Sequence, residues 1–96
     1  MSSFQPGQSL TVHTASTVLA TGLQAIAAGQ TAFDLSGVTE LDSAAVVTLL
    51  AWQRAALARG NTLAFCRLPA NLCSLMRLYG VAELLLPAEK ADFRHH

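Results

Sequence analysis

Strand-like segments alternate with helix-like segments along this 96-residue chain. Leu10 and Val12 alternate with polar neighbours, and the same period of two runs through residues 31–38, TAFDLSGV, and 62–68, TLAFCRL. A helical pattern follows each of these segments. Strands that are separated by helices need parallel crossovers, which place the helices against a sheet. The order therefore predicts an α/β domain.

Three helices are predicted from their start and stop signals. The first runs from residue 16 or 17 to Gly29 and is weakened by Gly22, and the second, which is the longest, covers 44–58. The third runs from 69 to 80, with proline in its first turn and glycine at its end. Its expected buried stripe comprises Leu72, Leu75, Met76 and Tyr79.

The two ends of the chain complete the predicted sheet. Pro6-Gly7 is a turn signal, so residues 3–5 are expected to pair antiparallel with the strand at 10–12. ELLLP, residues 83–87, is expected to be a final strand or a docked segment. We therefore predict a single domain over 3–88, with a mixed β-sheet of about four strands and helices packed on it. Residues 89–96 are a tail whose final histidines are either native or the remnant of a tag.

Composition narrows the class of function. The chain is 52% hydrophobic and 12% charged, which is typical of a folded domain whose rather apolar surface meets a partner. Six basic residues balance six acidic ones, so nucleic-acid binding is not expected. The start lacks a signal peptide, and no apolar stretch approaches the roughly 18 residues of a membrane span. We expect a cytoplasmic protein without direct membrane insertion.

The sequence lacks the motifs and residue spacings that are typical of enzyme active sites and metal sites. Cys66 and Cys73 have no CxxC spacing and no nearby histidine pair, so we expect reduced thiols and no metal site or cofactor. Motifs of phosphate loops, nucleophile elbows and zinc proteases do not occur. Ser43 has no convincing general base, because His13 lies in a strand and the other histidines are at the tail. We expect no enzymatic activity.

The segment LDSAAVV, residues 41–47, opens the predicted second helix. The side chain of Asp42 or Ser43 can accept a hydrogen bond from a free amide of the first turn, which is ordinary capping. The same amides and the helix dipole would also favour a phosphate on Ser43. A phosphoserine would add nearly two negative charges beside Asp42. Capping and a regulatory switch both remain open at this point.

The second helix is apolar over much of its circumference, with no charge before Arg54. Such a helix is either wholly buried or contacts something besides its own sheet. Its apolar positions form two adjoining stripes, Ala45, Leu49, Trp52 and Ala56 in one and Val46, Leu50 and Leu57 in the other. Trp52 is thus either a filler at the edge of the core or an anchor for a partner.

At FDLSGVTELDSAAVVTLL, residues 33–50, the chain resembles the STAS domain family, whose hallmark is a strand ending in D-L-S, a short acidic loop and D-[ST] opening a helix. The resemblance continues through RGNTLAFCRLP and LMRLYGVAELLLP and covers about residues 9–87. The ending LYGVAELLLP and the short length resemble the MlaB-like branch, the small cytoplasmic subunits of Gram-negative phospholipid-transport ABC complexes. Anti-sigma factor antagonists are the alternative.

The resemblance implies a role for each matching residue. Ser43 matches a hydroxyl residue that a kinase phosphorylates in the antagonists and that is a threonine needed for function in the MlaB-like branch. Asp42 matches the preceding acid, and Ser36 and Thr39 fall in the adjoining loop. The following helix matches the partner-contacting element, here with Ala45, Val46, Leu49 and Trp52.

The partner that the resemblance implies is an ABC transporter ATPase. MlaB-like subunits bind this ATPase and support its assembly and activity in maintaining outer-membrane lipid asymmetry, without hydrolysing ATP themselves. Such a protein would be free in the cytoplasm or held at the inner face of the inner membrane by its partner. The alternative implies an anti-sigma factor kinase as partner. Whether the isolated domain forms a homodimer stays open.

Overall fold

The structure of the protein is a computed structural model that describes residues 3–81. Its elements are β1 (Ser9–Leu10), α1 (Ala15–Ala27), β2 (Ala32–Asp34), β3 (Glu40–Leu41), α2 (Ser43–Ala58), β4 (Ala64–Cys66) and α3 (Ala70–Leu78). The predicted α/β class is confirmed. The segment expected at 83–87 and the tail at 89–96 lie outside the described residues.

The helices end where the sequence predicts. Gly29, Gly60 and Gly80 each lie two residues beyond the last residue of a helix, with φ of 100°, 82° and 72°. Glycine adopts this left-handed conformation without the steric cost that a Cβ atom brings. Short-range chemistry therefore sets all three helix ends.

The described strands form two parallel pairs, β1 with β3 and β2 with β4. The expected antiparallel hairpin at the start of the chain is wrong, because every strand pairing within residues 3–81 is parallel. Phe4 instead forms a parallel bridge with Phe33, donating to the carbonyl of Ala32 at 3.0 Å and accepting from the amide of Asp34 at 2.8 Å. This pairing lets the Phe4 ring pack on Phe33, with centroids 4.6 Å apart. Packing of the half-buried Phe4 ring on the buried Phe33 explains why residues near Phe4 pair with β2 and not with the strand that begins at Ser9.

The N-terminal strand is also shorter than predicted. It ends at Leu10, and the chain turns at once, with the amide of Thr14 donating to the carbonyl of Thr11 at 3.0 Å. Val12 is therefore exposed on a turn and does not continue the alternation into the core. β3 has only two residues, which is too short for a period of two to be recognised in the sequence.

Trp52 occupies the centre of the core. Its side chain is fully buried, and its ring centroid lies 5.0 Å from that of Phe33. The indole Nε1 donates to the carbonyl oxygen of Leu19 in α1 at 3.1 Å. One side chain of α2 thereby contacts both α1 and an aromatic side chain of β2.

Gly22 makes this arrangement possible. It is buried in α1, and a Cβ atom at its position would overlap the Trp52 ring. The sequence predicts that this glycine weakens the helix, and the structure shows what is gained in exchange. The missing side chain lets the indole approach the α1 backbone closely enough to reach Leu19.

A buried glutamine holds the chain where it enters β4. Gln53 accepts a hydrogen bond from the amide of Leu63 at 2.9 Å and donates to the carbonyl of the same residue at 3.1 Å. Both polar ends of the amide side chain are therefore satisfied, as burial requires. α2 is fixed on one side by Trp52 and on the neighbouring side by Gln53.

Replacing Gly22 by alanine should destabilise the domain by about 1–3 kcal/mol, because the new methyl group would displace a large buried ring. At an open helical position the same change would stabilise by about 1 kcal/mol, so the sign of the effect is informative. The free energy of unfolding in urea measures it. Gln24→Ala, on the exposed part of the same helix, is the control and should change this free energy by less than about 0.5 kcal/mol. A Gly22→Ala variant that is more stable than wild type would contradict the close contact.

Candidate functional site

Ser43 is exposed at the first position of α2. The helix is capped by the residue before it, because Oδ1 of Asp42 accepts a hydrogen bond from the amide of Ala44 at 2.8 Å. The Ser43 hydroxyl makes no hydrogen bond to any residue between 3 and 81. Of the two capping candidates in the sequence, Asp42 therefore caps the helix and Ser43 presents its hydroxyl to solvent.

Asp42 also holds the turn that follows β1. Its second carboxylate oxygen, Oδ2, accepts from the amide of Val12 at 3.1 Å. The turn is closed internally by the Thr14 hydroxyl, which accepts from the amide of Thr11 at 3.0 Å. The carboxylate thus joins two segments that are 30 residues apart and fixes the surroundings of Ser43.

A groove of about 620 Å³ lies beside Ser43. One wall is formed by Leu41, Asp42 and Ser43, and the other by α3 and its end, with Asn71, Ser74, Leu75, Leu78 and Tyr79. Leu78 is 74% exposed and Tyr79 is 51% exposed. Sequence reasoning missed this α2–α3 groove and placed Tyr79 in the buried stripe of the third helix. That placement is wrong, because only Leu72 and Met76 of the stripe are fully buried.

The outward side of α2 is not the side expected from the sequence. The side chains of Ala45, Val46, Leu49 and Trp52 are all buried in the core, so their placement on a partner-facing surface is wrong. The outward side carries a stripe with helical spacing, formed by the exposed Ser43, Val47, Arg54 and Leu57 and the half-buried Leu50. Val47 is 65% exposed and Leu57 is 58% exposed. We call these five residues the outer stripe of α2.

Ser36 and Thr39 lie on the exposed loop between β2 and β3. The amide of Ser36 donates to Oδ1 of Asp34 at 2.9 Å, and the amide of Thr39 donates to the carbonyl of Gln8 at 2.8 Å. Neither residue makes a hydrogen bond to Ser43 in the described part of the chain. The Thr39 hydroxyl also donates to the carbonyl of Gln8, at 3.5 Å, so Ser36 and Thr39 each have their own anchor on an exposed loop.

Asp34 anchors the start of that loop. The hydrogen bond from the backbone of Ser36 is the largest cause that lowers the pKa of Asp34 below its ordinary value of 3.8, and the nearby Arg67 adds to it, while burial opposes it. Arg67 Nε lies 3.9 Å from Asp34 Oδ2. The arginine has a left-handed backbone with φ of 55°, which is uncommon for a residue with a Cβ atom.

The chemistry of the α2–α3 groove suits contact with another molecule. Its walls combine exposed apolar side chains with two serine hydroxyls, the amide of Asn71 and the phenol of Tyr79. Asp42 supplies the one carboxylate among the described residues of the groove, and this carboxylate is engaged with two backbone amides. Within residues 3–81 there is no group of three or more histidine, cysteine or acidic side chains that could hold a metal ion. None of the helices described there has the length and apolar character needed to span a bilayer.

Comparison with protein families finds a match of residues 8–87 to the family described as "Mlab, STAS domain". The matched range contains every helix and strand of the described structure and includes Ser43. A search of curated proteins finds no match.

The two oxygens of Asp42 can be tested separately. Asp42→Asn keeps one carbonyl oxygen for the cap and loses the second acceptor, whereas Asp42→Ala loses both. We expect Asp42→Ala to lower the free energy of unfolding by about 1–2 kcal/mol and Asp42→Asn to lower it less. Ser43→Ala is the matched control, with a change below about 0.5 kcal/mol because its hydroxyl caps nothing. A larger loss in Ser43→Ala than in Asp42→Ala would show that the serine is the cap.

Asp34 should make stability depend on pH in the acid range. Because folding lowers the pKa of this carboxyl, its contribution is present above the ordinary value of 3.8 and is lost as pH falls through the lower folded value. The measurement is urea unfolding of wild type and Asp34→Asn between about pH 2 and pH 7. We expect the stability difference between the two proteins to be largest near neutrality and to shrink below about pH 4. A difference that is constant with pH would contradict this role of the charge.

Proposed function

The chain belongs to the STAS domain family in its MlaB branch, and from this premise we propose that it is a non-catalytic subunit that binds the ATPase of a phospholipid-transport ABC complex. STAS domains are in general binding domains, which agrees with a surface rich in exposed apolar side chains. In this function the chain supports assembly and activity of the ATPase that maintains outer-membrane lipid asymmetry. Its location would be the inner face of the inner membrane, through that partner.

The observation that carries the proposal is the state of Ser43. The hydroxyl is exposed, and the task of capping α2 belongs to Asp42, so Ser43 is available for contact. Val47 lies one turn further along the same side of α2, and Leu78 and Tyr79 form part of the opposite groove wall. We call Ser43, Val47, Leu78 and Tyr79 the docking face.

The other residues of the implied site take different roles. Asp42 positions the docking face through the cap and through Val12. Ser36 and Thr39 provide hydroxyls on the neighbouring loop for the edge of the contact. Trp52 supports the face from beneath by holding α2 against α1. Truncation of Trp52 would therefore disturb the core and would give no measure of docking.

Single changes on the docking face should weaken binding of the ATPase without unfolding the domain. We expect Ser43→Glu and Val47→Asp each to lower co-purification with the ATPase, because each places a charge in a desolvated apolar contact. The loss should be at least about 10-fold in affinity, since a buried unpaired charge costs more than about 1.4 kcal/mol.

Gln24→Glu is the control for these variants, because it adds one negative charge to an exposed position of α1, outside the docking face. It should bind as wild type does. Circular dichroism and urea unfolding of the isolated variants establish that they are folded. Wild-type affinity in both Ser43→Glu and Val47→Asp would refute the proposed docking face.

The exposed Ser43 hydroxyl also supports a second candidate, an anti-sigma factor antagonist that is switched by phosphorylation. The hydroxyl is accessible and stands at the N-terminus of α2, where a phosphate is favoured by the helix dipole. Incubation with an anti-sigma factor kinase and ATP should then label wild type and leave Ser43→Ala unlabelled, with release of the kinase afterwards. An ABC ATPase and permease encoded beside this chain would favour the transport function, and a kinase and a sigma factor would favour the antagonist.

A further inference from the structure

The outer stripe of α2 carries a single charge among apolar side chains. Arg54 is the only charged residue of the helix, and it lies between Leu50 and Leu57 on the exposed side. Within residues 3–81 its guanidinium forms no ion pair, whereas Arg67 is paired with Asp34. The stripe thus combines an exposed apolar surface with one cation that has no counter-charge in the described part of the molecule.

The position of Arg54 limits what can cover the stripe. Val47 and Leu57 are ten residues apart, which is about 15 Å along the helix axis, and Arg54 lies between them on the same side. Any molecule that covers both apolar side chains must also cover the arginine. A guanidinium that loses water without gaining an anion is costly, so the covering surface needs an acceptor at that point.

We propose that the partner presents an apolar segment with a carboxylate side chain, aspartate or glutamate, placed against Arg54. The planar guanidinium binds a carboxylate through two parallel hydrogen bonds, which fixes the orientation as well as the charge. This inference rests on the proposed function, because Ser43 is the first residue of the same stripe and the ATPase is the partner. It adds the chemistry by which that partner is oriented along α2.

A second copy of the chain fits the stripe less well. If two α2 helices packed antiparallel about a two-fold axis near Leu50, at the middle of their outer stripes, each Arg54 would face the apolar positions around Val47 of the other copy. α2 has no acidic residue that could pair with either arginine. Such a contact would leave both guanidinium groups without a counter-charge.

A membrane surface also fits the stripe poorly. Proteins that bind anionic lipids at the surface use clusters of several basic residues, each worth roughly 1 kcal/mol. The outer stripe has Arg54 alone. A protein segment with one carboxylate matches one cation, and the apolar positions on either side of Arg54 match apolar side chains.

The test is the affinity of the full chain for the purified ABC ATPase, measured for wild type, Arg54→Gln and Arg54→Glu. We expect affinity to fall about 5- to 10-fold in Arg54→Gln and at least about 30-fold in Arg54→Glu, where two carboxylates would face each other. Raising NaCl from about 50 to 500 mM should weaken wild-type binding and should affect Arg54→Gln much less. Arg77→Glu is the control, because Arg77 is exposed on α3 outside both the stripe and the groove, and it should change affinity less than about 2-fold.

The outcomes separate this inference from the proposed function. Wild-type affinity in Arg54→Glu, with binding still lost in Ser43→Glu, overturns the carboxylate alone. Failure of wild type to bind the ATPase overturns the proposed function and the carboxylate with it. An isolated wild-type dimer that Arg54→Glu dissociates, or binding to phosphatidylglycerol vesicles that Arg54→Gln abolishes, also overturns the inference, because a second copy or lipid would then cover the stripe.

Discussion

The contact between Trp52 and the α1 backbone at Gly22 determines which side of α2 is exposed to solvent. The indole reaches the Leu19 carbonyl only because position 22 has no side chain, and this fixes the rotation of α2 about its own axis. Trp52 and Ser43 are nine residues apart, which at about 100° a residue places them on opposite sides of the helix. With the indole directed into the core, the serine must face outward. A core interaction therefore determines which residues of α2 are available to the proposed docking face.

Local chemistry in the sequence was enough to predict the α/β class and the three helix ends. Glycine after each helix acts within a few residues, so Gly29, Gly60 and Gly80 could be interpreted without the fold. The pairing of Phe4 with Phe33 could not be predicted in this way, because it depends on contact between two aromatic rings that are 29 residues apart in the sequence. The helical period likewise found two apolar stripes on α2 but could not say which of them faces the sheet. The signal that could have decided it was Gly22, a costly residue in mid-helix that only a close neighbour explains.

Asp42 and Ser43, at the start of α2, have different roles. The sequence left open whether this pair caps the helix or presents a hydroxyl, and in the structure Asp42 caps the helix while Ser43 presents the hydroxyl. Asp42 uses one oxygen for the helix cap and the other for Val12, so the acid is structural. Ser43 is free of that work and stays exposed. The α3 wall of the groove escaped prediction because Leu75 and Tyr79 have the spacing of the buried stripe, and the helical period alone does not reveal that only Leu72 and Met76 of that stripe are fully buried. The site is thus assembled by contacts between elements, and only its wall at Asp42 and Ser43 could be predicted from the sequence.

Substitutions in α2 can alter either its core side or its outer side. A loss of binding must therefore be interpreted according to the side that the substitution affects. A change at the core side lowers the fraction of folded molecules, while each folded molecule still presents Ser43 and the outer stripe. A change at the outer side leaves that fraction intact and lowers the affinity of each folded molecule. Because a partner binds only the folded state, excess partner restores binding in the first case by mass action, in proportion to its concentration over its Kd. For a substitution on the outer side, the Kd itself has changed. Saturation is then reached only at a higher partner concentration, although the stability of the domain is unaltered. The two kinds of change are therefore distinguishable by measuring unfolding and binding on the same protein, even where a single affinity value would not separate them.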